Sequence, residues 1–115
     1  MVSRIGEYTL ENNKLVLDIS GWRTLTIQVI NLGGTMSILG TNDSGAITGS
    51  SDGGPRDAQN FNAVQAVNLS TGAAATAITG SVLFRIDPIS FKYLQIGDGS
   101  SATADKILVF FSTPV

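Results

Sequence analysis

The chain has 115 residues, of which 43% are apolar and only 14% are charged, and its formal net charge is −2. This length fits a single domain over residues 1–115, and the small charge excludes both charge-driven disorder and polyelectrolyte attraction to nucleic acid. The sequence contains no cysteine and no histidine. Disulfide frameworks, thiol and histidine catalysis, and the usual zinc and copper ligand sets are therefore excluded.

Targeting and membrane signals are absent from the sequence pattern. Residues 1–7 have no apolar core of the secretory type. No window approaches the ~18 apolar residues that are needed to cross a bilayer. We therefore expect a chain that is made and folded in a cytoplasm and that does not contact a membrane.

Alternation of apolar and polar residues predicts β-strands along most of the chain. Leu25, Ile27 and Val29 alternate with threonine and glutamine, a period of two that places one set on a buried face. The run Ile107–Phe111 is apolar on both faces, which is typical of a strand covered on both sides, in a sandwich centre or at an interface. The predicted strands are 4–10, 14–19, 23–31, 35–41, 63–70, 80–87, 91–97 and 105–112.

Turn residues separate these runs. Asn12-Asn13 predicts a tight hairpin because asparagine tolerates positive φ, and Ser20-Gly21 and Asp87-Pro88 end strands. Only residues 72–78 could hold a short helical turn, since their alanine content favours helix, but the segment is too short to favour one strongly. The pattern as a whole predicts an all-β fold, an eight-stranded antiparallel β-sandwich that is jelly-roll-like.

One segment, residues 42–62, breaks this rhythm. It is rich in Gly, Ser, Asp and Asn, and loops of this length are uncommon in compact domains unless they are functional or mobile. A mobile excursion and a segment that orders on a neighbouring subunit both fit. In the second case Arg56 and Phe61 are the expected interface anchors, because arginine and aromatic side chains dominate contact hot spots.

Enzymatic and metal-binding chemistry finds little support. A glycosidase needs two paired carboxylates, but acidic residues near glycine in predicted turns, such as Asp43, Asp52 and Asp98, commonly cap backbone amides. Calcium would need more clustered carboxylates at regular offsets than these loops carry. We expect no enzyme activity, no cofactor and no metal.

Three further residues are candidates for binding. Trp22 opens a strand, where it is either a packing residue, the favoured interpretation, or a platform that stacks on a sugar ring. Tyr93 and Gln95 share one face of a predicted strand, so that face is a candidate contact surface.

Several stretches together resemble a known class of protein. Residues 17–29, then 33–45 with Gly34-Thr35 before a strand and Asn42-Asp43-Ser44-Gly45 after it, and the strand pair 82–87 and 91–96 carry the resemblance. They are similar to small β-sandwich proteins of tailed bacteriophage virions, in which a strand, Gly-Thr, a second strand and a Ser/Thr-Asn-Asp-Gly turn recur.

The resemblance implies a structural role in a virion. It points to a capsid decoration (cement) subunit, made in the host cytoplasm, that binds the major capsid protein and other copies of itself, with a trimer as the expected oligomer. Tail components and carbohydrate-binding or host-attachment modules share such folds and stay open as alternatives. Extended ends can add a strand to a neighbour. The candidate interface at the C-terminal end includes Pro114.

Overall fold

The computed structural model describes residues 2–45 and 54–113. Those residues form eleven β-strands rather than the eight predicted, together with one 3-10 turn at Pro55–Asp57. The strands are β1 Ser3–Tyr8, β2 Leu15–Asp18, β3 Thr24–Ile30, β4 Met36–Thr41, β5 Asn62–Ala63, β6 Ala66–Asn68, β7 Ala74–Ala75, β8 Ala77–Ile78, β9 Phe84–Ile86, β10 Tyr93–Ile96 and β11 Lys106–Ser112.

The strands form two antiparallel sheets, so the predicted all-β class is confirmed. The six-stranded sheet has the order β1-β11-β3-β9-β6-β7. The five-stranded sheet has the order β2-β10-β4-β5, and β8 also pairs with β4. The first four strands alternate between the sheets, which means that each early turn carries the chain from one layer to the other. No helix in the part of the chain described here is long and apolar enough to span a membrane.

One apolar core fills the space between the sheets. Leu25, Ile27 and Val29 of β3 point inward, as the alternation predicted, and Leu94 and Ile96 of β10 face them from the other sheet. Burial of each such side chain contributes about 1.5–3 kcal/mol of transfer free energy. The inner face of β11 joins this core, but its outer face is open, and Phe110 there is 42% exposed.

The predicted hairpin at Asn12-Asn13 is confirmed. Both residues have positive φ, 55° and 61°. Their neighbours Glu11 and Lys14 exchange backbone hydrogen bonds of 2.9 and 3.2 Å. This is the geometry of a two-residue turn with left-handed central residues, which asparagine adopts at low steric cost.

One prediction between residues 63 and 78 was wrong, and one segment outside the predicted strands forms strands. The single strand 63–70 is two short strands, β5 and β6, because the chain crosses from the five-stranded to the six-stranded sheet at residues 64–65. The alanine-rich segment 72–78, which lies outside every predicted strand, forms β7 and β8. Pairing of Ile78 with Met36 buries both side chains completely, and this burial outweighs the weak helix preference of alanine.

Candidate functional site

The outer face of the five-stranded sheet is unusual because part of it is buried. Tyr93 and Gln95 of β10 point away from the core, since Leu94 and Ile96 between and after them point into it. Even so, Tyr93 is 0% and Gln95 7% exposed. An outward-facing side chain loses its solvent contact only when another part of the molecule covers the sheet.

Residues 54–61, the second half of the predicted loop, pack against this part of the sheet. The Thr41 hydroxyl at the end of β4 donates a hydrogen bond of 2.8 Å to the Gln59 carbonyl. The Gln59 N–H in turn donates to the Asp43 carbonyl at 3.1 Å. These bonds hold the segment against the sheet beside Tyr93, which lies opposite Thr41 in the register. Residues 46–53 of the same predicted loop lie outside the described part of the chain.

Asp43 provides a second anchor for this segment. Its carboxylate accepts hydrogen bonds from the Gly45 N–H at 2.8 Å and from the Asn60 side-chain amide at 2.7 Å. These donors, the Gly45 N–H first, lower the pKa of Asp43 below its usual value because they favour the ionised form. The motif Asp-x-Gly at 43–45 therefore acts as a local clamp, as predicted for acidic residues near glycine in turns.

A groove of about 750 Å³ runs between this segment and the Asn12-Asn13 hairpin. Its walls mix opposite charges, amide groups and apolar surface. The lining residues are Thr9, Glu11, Asn12, Lys14, Leu15, Val16, Gly54, Pro55, Arg56, Ala58, Phe61 and Gln95. Such a lining suits contact with another polypeptide better than capture of a small apolar ligand, which prefers a mostly apolar pocket.

The structure brings together three of the five predicted interface residues. Arg56, Phe61 and Gln95 all line this groove. Tyr93 and Gln95 need correction as interface residues, however, because both side chains are already buried within the chain and leave almost no area for a partner. The Gln95 amide is also engaged, since it donates to the Gly97 carbonyl at 2.7 Å. Pro114 lies outside the described residues.

Trp22 lies away from the groove. Its ring packs against Phe111 with centroids 5.2 Å apart, and the Arg4 guanidinium lies 5.0 Å from the centroid of Phe111 and 6.0 Å from that of Trp22. One edge borders a shallow depression of about 300 Å³. The half-buried ring therefore packs against the core, with Phe111 and Arg4 as its neighbours.

Groups suited to metal binding are absent from the described ranges, where no three residues of the types His, Cys, Asp and Glu cluster. The sequence did not predict that residues 9–14, the hairpin, would form one wall of the groove. The paired asparagines predicted a turn there, but no signal in them indicated what the turn would face.

Comparison with known proteins adds one similarity. No protein-family model matches the chain, and no curated protein matches it. A solved structure, that of the SPBc2 prophage-derived protein YomS, superposes with a TM-score of 0.58 at 11% sequence identity. The match covers 96% of this chain and 95% of that one. Two chains with so little identity share an architecture over nearly their whole length, and the similarity concerns the fold alone.

Proposed function

We propose that this chain is a structural protein of a phage virion, a capsid decoration or cement subunit that stabilises the head through protein–protein contacts. The observation that carries the proposal is the end-to-end similarity of fold to a prophage-derived protein, joined to the resemblance of residues 17–45 and 82–96 to small virion β-sandwiches. In this role the chain is located in the virion and its main partner is the major capsid protein.

The strand order supports a jelly roll as the finer description of the fold. When the short strands β6–β8 are set aside, the two sheets have the orders β1-β11-β3-β9 and β2-β10-β4-β5. The first strand then lies beside the last, and the second beside the last but one. This nested order is the one that a long antiparallel hairpin gives when it rolls up as two Greek keys.

Three carboxylates have pKa shifts opposite to the one that a glycosidase acid needs. Asp18, Asp43 and Asp98 have pKa values below the usual range. The Ser20 hydroxyl is the main cause at Asp18, the Gly45 N–H at Asp43 and the Ser100 hydroxyl at Asp98. A glycosidase acid needs the opposite shift, a raised pKa that keeps its proton near neutral pH.

Binding to heads tests the proposal. Purified protein is mixed with phage heads that lack it, and we measure co-sedimentation and the temperature at which the heads rupture. We expect saturable binding and a higher rupture temperature. Binding to tails but not heads would assign the chain to the tail, and binding to neither would refute a virion role.

A pair of variants locates the contact. Phe61→Ala removes an aromatic wall of the groove, and Leu69→Ala removes an apolar side chain that is 43% exposed and does not line the groove. We expect Phe61→Ala to weaken head binding at least tenfold and Leu69→Ala to leave it unchanged. Equal effects of the two variants would exclude the groove as the contact surface.

A further inference from the structure

The strand β1 forms one edge of the six-stranded sheet and directs unpaired backbone groups outward. The Thr113 N–H donates to the Val2 carbonyl at 2.9 Å, so the backbone groups of Val2 face β11. Because these directions alternate along an antiparallel strand, Arg4, Gly6 and Tyr8 also bond β11. Ser3, Ile5 and Glu7 therefore point their N–H and C=O groups away from the sheet, and all three are exposed.

This edge lacks the protection that natural sheets place on such strands. Short length, proline, a bulge or a free charge normally blocks pairing with another chain. β1 has six residues, contains no proline and pairs with β11 in unbroken register. By contrast, β7 at the opposite edge of the sheet has two residues.

The charged side chains of β1 are engaged within the molecule. Glu7 forms an ion pair of 3.2 Å with Lys106 on the neighbouring strand. The Arg4 guanidinium donates to the Tyr8 hydroxyl at 2.9 Å and stacks on Phe111. Both charges are therefore already engaged with side chains of the same molecule, so neither is a free charge of the kind that blocks the approach of another strand.

Exposed apolar side chains concentrate at the same edge. Ile5 is 69% exposed and Val2 62% exposed, the two highest values among the exposed large hydrophobic residues of the described chain. Ile5 lies directly beside Phe110 of β11, which is 42% exposed. A partner strand added to β1 would extend this apolar row and cover part of it.

We propose that β1 pairs antiparallel with β1 of a second copy of this chain, about a two-fold axis through Ile5. The outward backbone groups belong to odd-numbered residues, so only registers that match odd with odd form hydrogen bonds. Centred on Ile5, the register places Ile5 opposite its own copy and Ser3 opposite Glu7 of the second copy. These three residue pairs exchange about six backbone hydrogen bonds.

The side chains of β1 favour this register over its neighbours. A register centred on Arg4 would set the two arginines opposite each other, a like-charge pair. One centred on Gly6 would set each Ile5 opposite a glutamate. The Ile5-centred register instead matches apolar with apolar, sets Arg4 opposite Gly6, which has no side chain, and gives the Glu7 carboxylate a serine hydroxyl as donor.

The resulting dimer joins the six-stranded sheets of two copies into one continuous sheet. One strand of this length buries less than the ~1,200 Å² of a standard interface, so we expect a weak dimer with a dissociation constant of about 1–100 μM. It replaces the expected trimer, since an edge that pairs with itself is closed by two copies. The test of this dimer uses the purified chain alone, so its result is independent of the result of the head-binding experiment.

Sedimentation velocity between about 1 and 500 μM tests the proposal. We expect a concentration-dependent shift from monomer to dimer. Ile5→Lys places two like charges at the axis and should weaken the dimer at least tenfold. Leu83→Lys makes the same change at a residue that is 42% exposed but lies outside β1, and it should leave the dimer intact.

Amide hydrogen exchange tests the register residue by residue. In the monomer, the amides of Arg4, Gly6 and Tyr8 are already bonded to β11 and should exchange slowly. On dimerisation the amides of Ser3, Ile5 and Glu7 should gain protection. A monomer at all concentrations, a trimer, or a dimer without this alternating gain would overturn the proposal, and so would a dimer that Leu83→Lys dissociates and Ile5→Lys does not.

Discussion

Gly40 offers the sharpest test of the packing that positions the five-stranded sheet. It lies in β4 opposite Leu94, and a Cβ atom built on it would be 2.6 Å from Phe91 Cδ2 and 2.8 Å from Val64 Cγ2. Both distances are far below van der Waals contact. The backbone of Gly40 is not in the left-handed region, so glycine is required here because a side chain has no room and not because of φ.

We expect Gly40→Ala to lower the free energy of unfolding by about 1–2 kcal/mol. Overpacking of a core typically costs about 1–3 kcal/mol, and the lower backbone entropy of alanine returns roughly 0.5–1 kcal/mol. For a chain of this size the change corresponds to a decrease in Tm of about 4–8 °C. Urea unfolding, followed by the fluorescence of Trp22, measures it directly.

Gly80→Ala is the matched control. A Cβ atom at Gly80 meets nothing within 4 Å, so alanine there should be neutral or stabilising by about 0.4–1 kcal/mol. Addition of Phe91→Ala to Gly40→Ala should recover part of the loss, with a coupling energy of about 0.5–3 kcal/mol. Equal stability of Gly40→Ala and Gly80→Ala would refute the packing argument.

Two further predictions concern residues 54–61, the segment bonded to Thr41 and Asp43. The Thr41 hydroxyl donates a hydrogen bond to the Gln59 carbonyl and accepts one of 3.0 Å from the Asp43 N–H. Thr41→Val removes both bonds, so the segment should open more often. Hydrogen exchange should then be faster at the Gln59 amide and little changed at the amides of β11. Because the folded pKa of Asp43 is lowered, its ionised form adds stability that is complete above the unfolded pKa of about 3.9 and is lost as pH falls through the folded pKa. Unfolding measured from pH 6 downward should therefore lose stability below about pH 4, and less steeply in Asp43→Asn; identical pH profiles would contradict the clamp.

Regular strands were predictable because their alternation is a local property. β3 and β11 lie within a residue or two of the predicted ranges, since burial of one face fixes a period of two whatever the partner strand. Short strands such as β7 and β8 were not predictable. Their two residues carry too little pattern, and their pairing depends on neighbours that are distant in sequence.

The candidate site was predictable in its residues but not in its arrangement. Arg56 and Phe61 stood out by type within an unusual loop, and the structure places both on one groove. Tyr93 and Gln95 do share a face, as the alternation predicted. The sequence could not indicate that residues 54–61 would fold back over that face, because this depends on the hydrogen bond between the Thr41 hydroxyl and the Gln59 carbonyl.

The pairing of β1 with β11 has a consequence for biosynthesis. β1 is made before the other ten strands described here, and its partner strand follows about 100 residues later, a delay of about 5–20 s at ordinary rates of translation. During that interval both edges of β1 are unpaired, whereas β4 and β5 can already meet. Until β11 has been made, each nascent chain on one message therefore exposes β1 with both edges free, and pairing with β11 closes one of those edges.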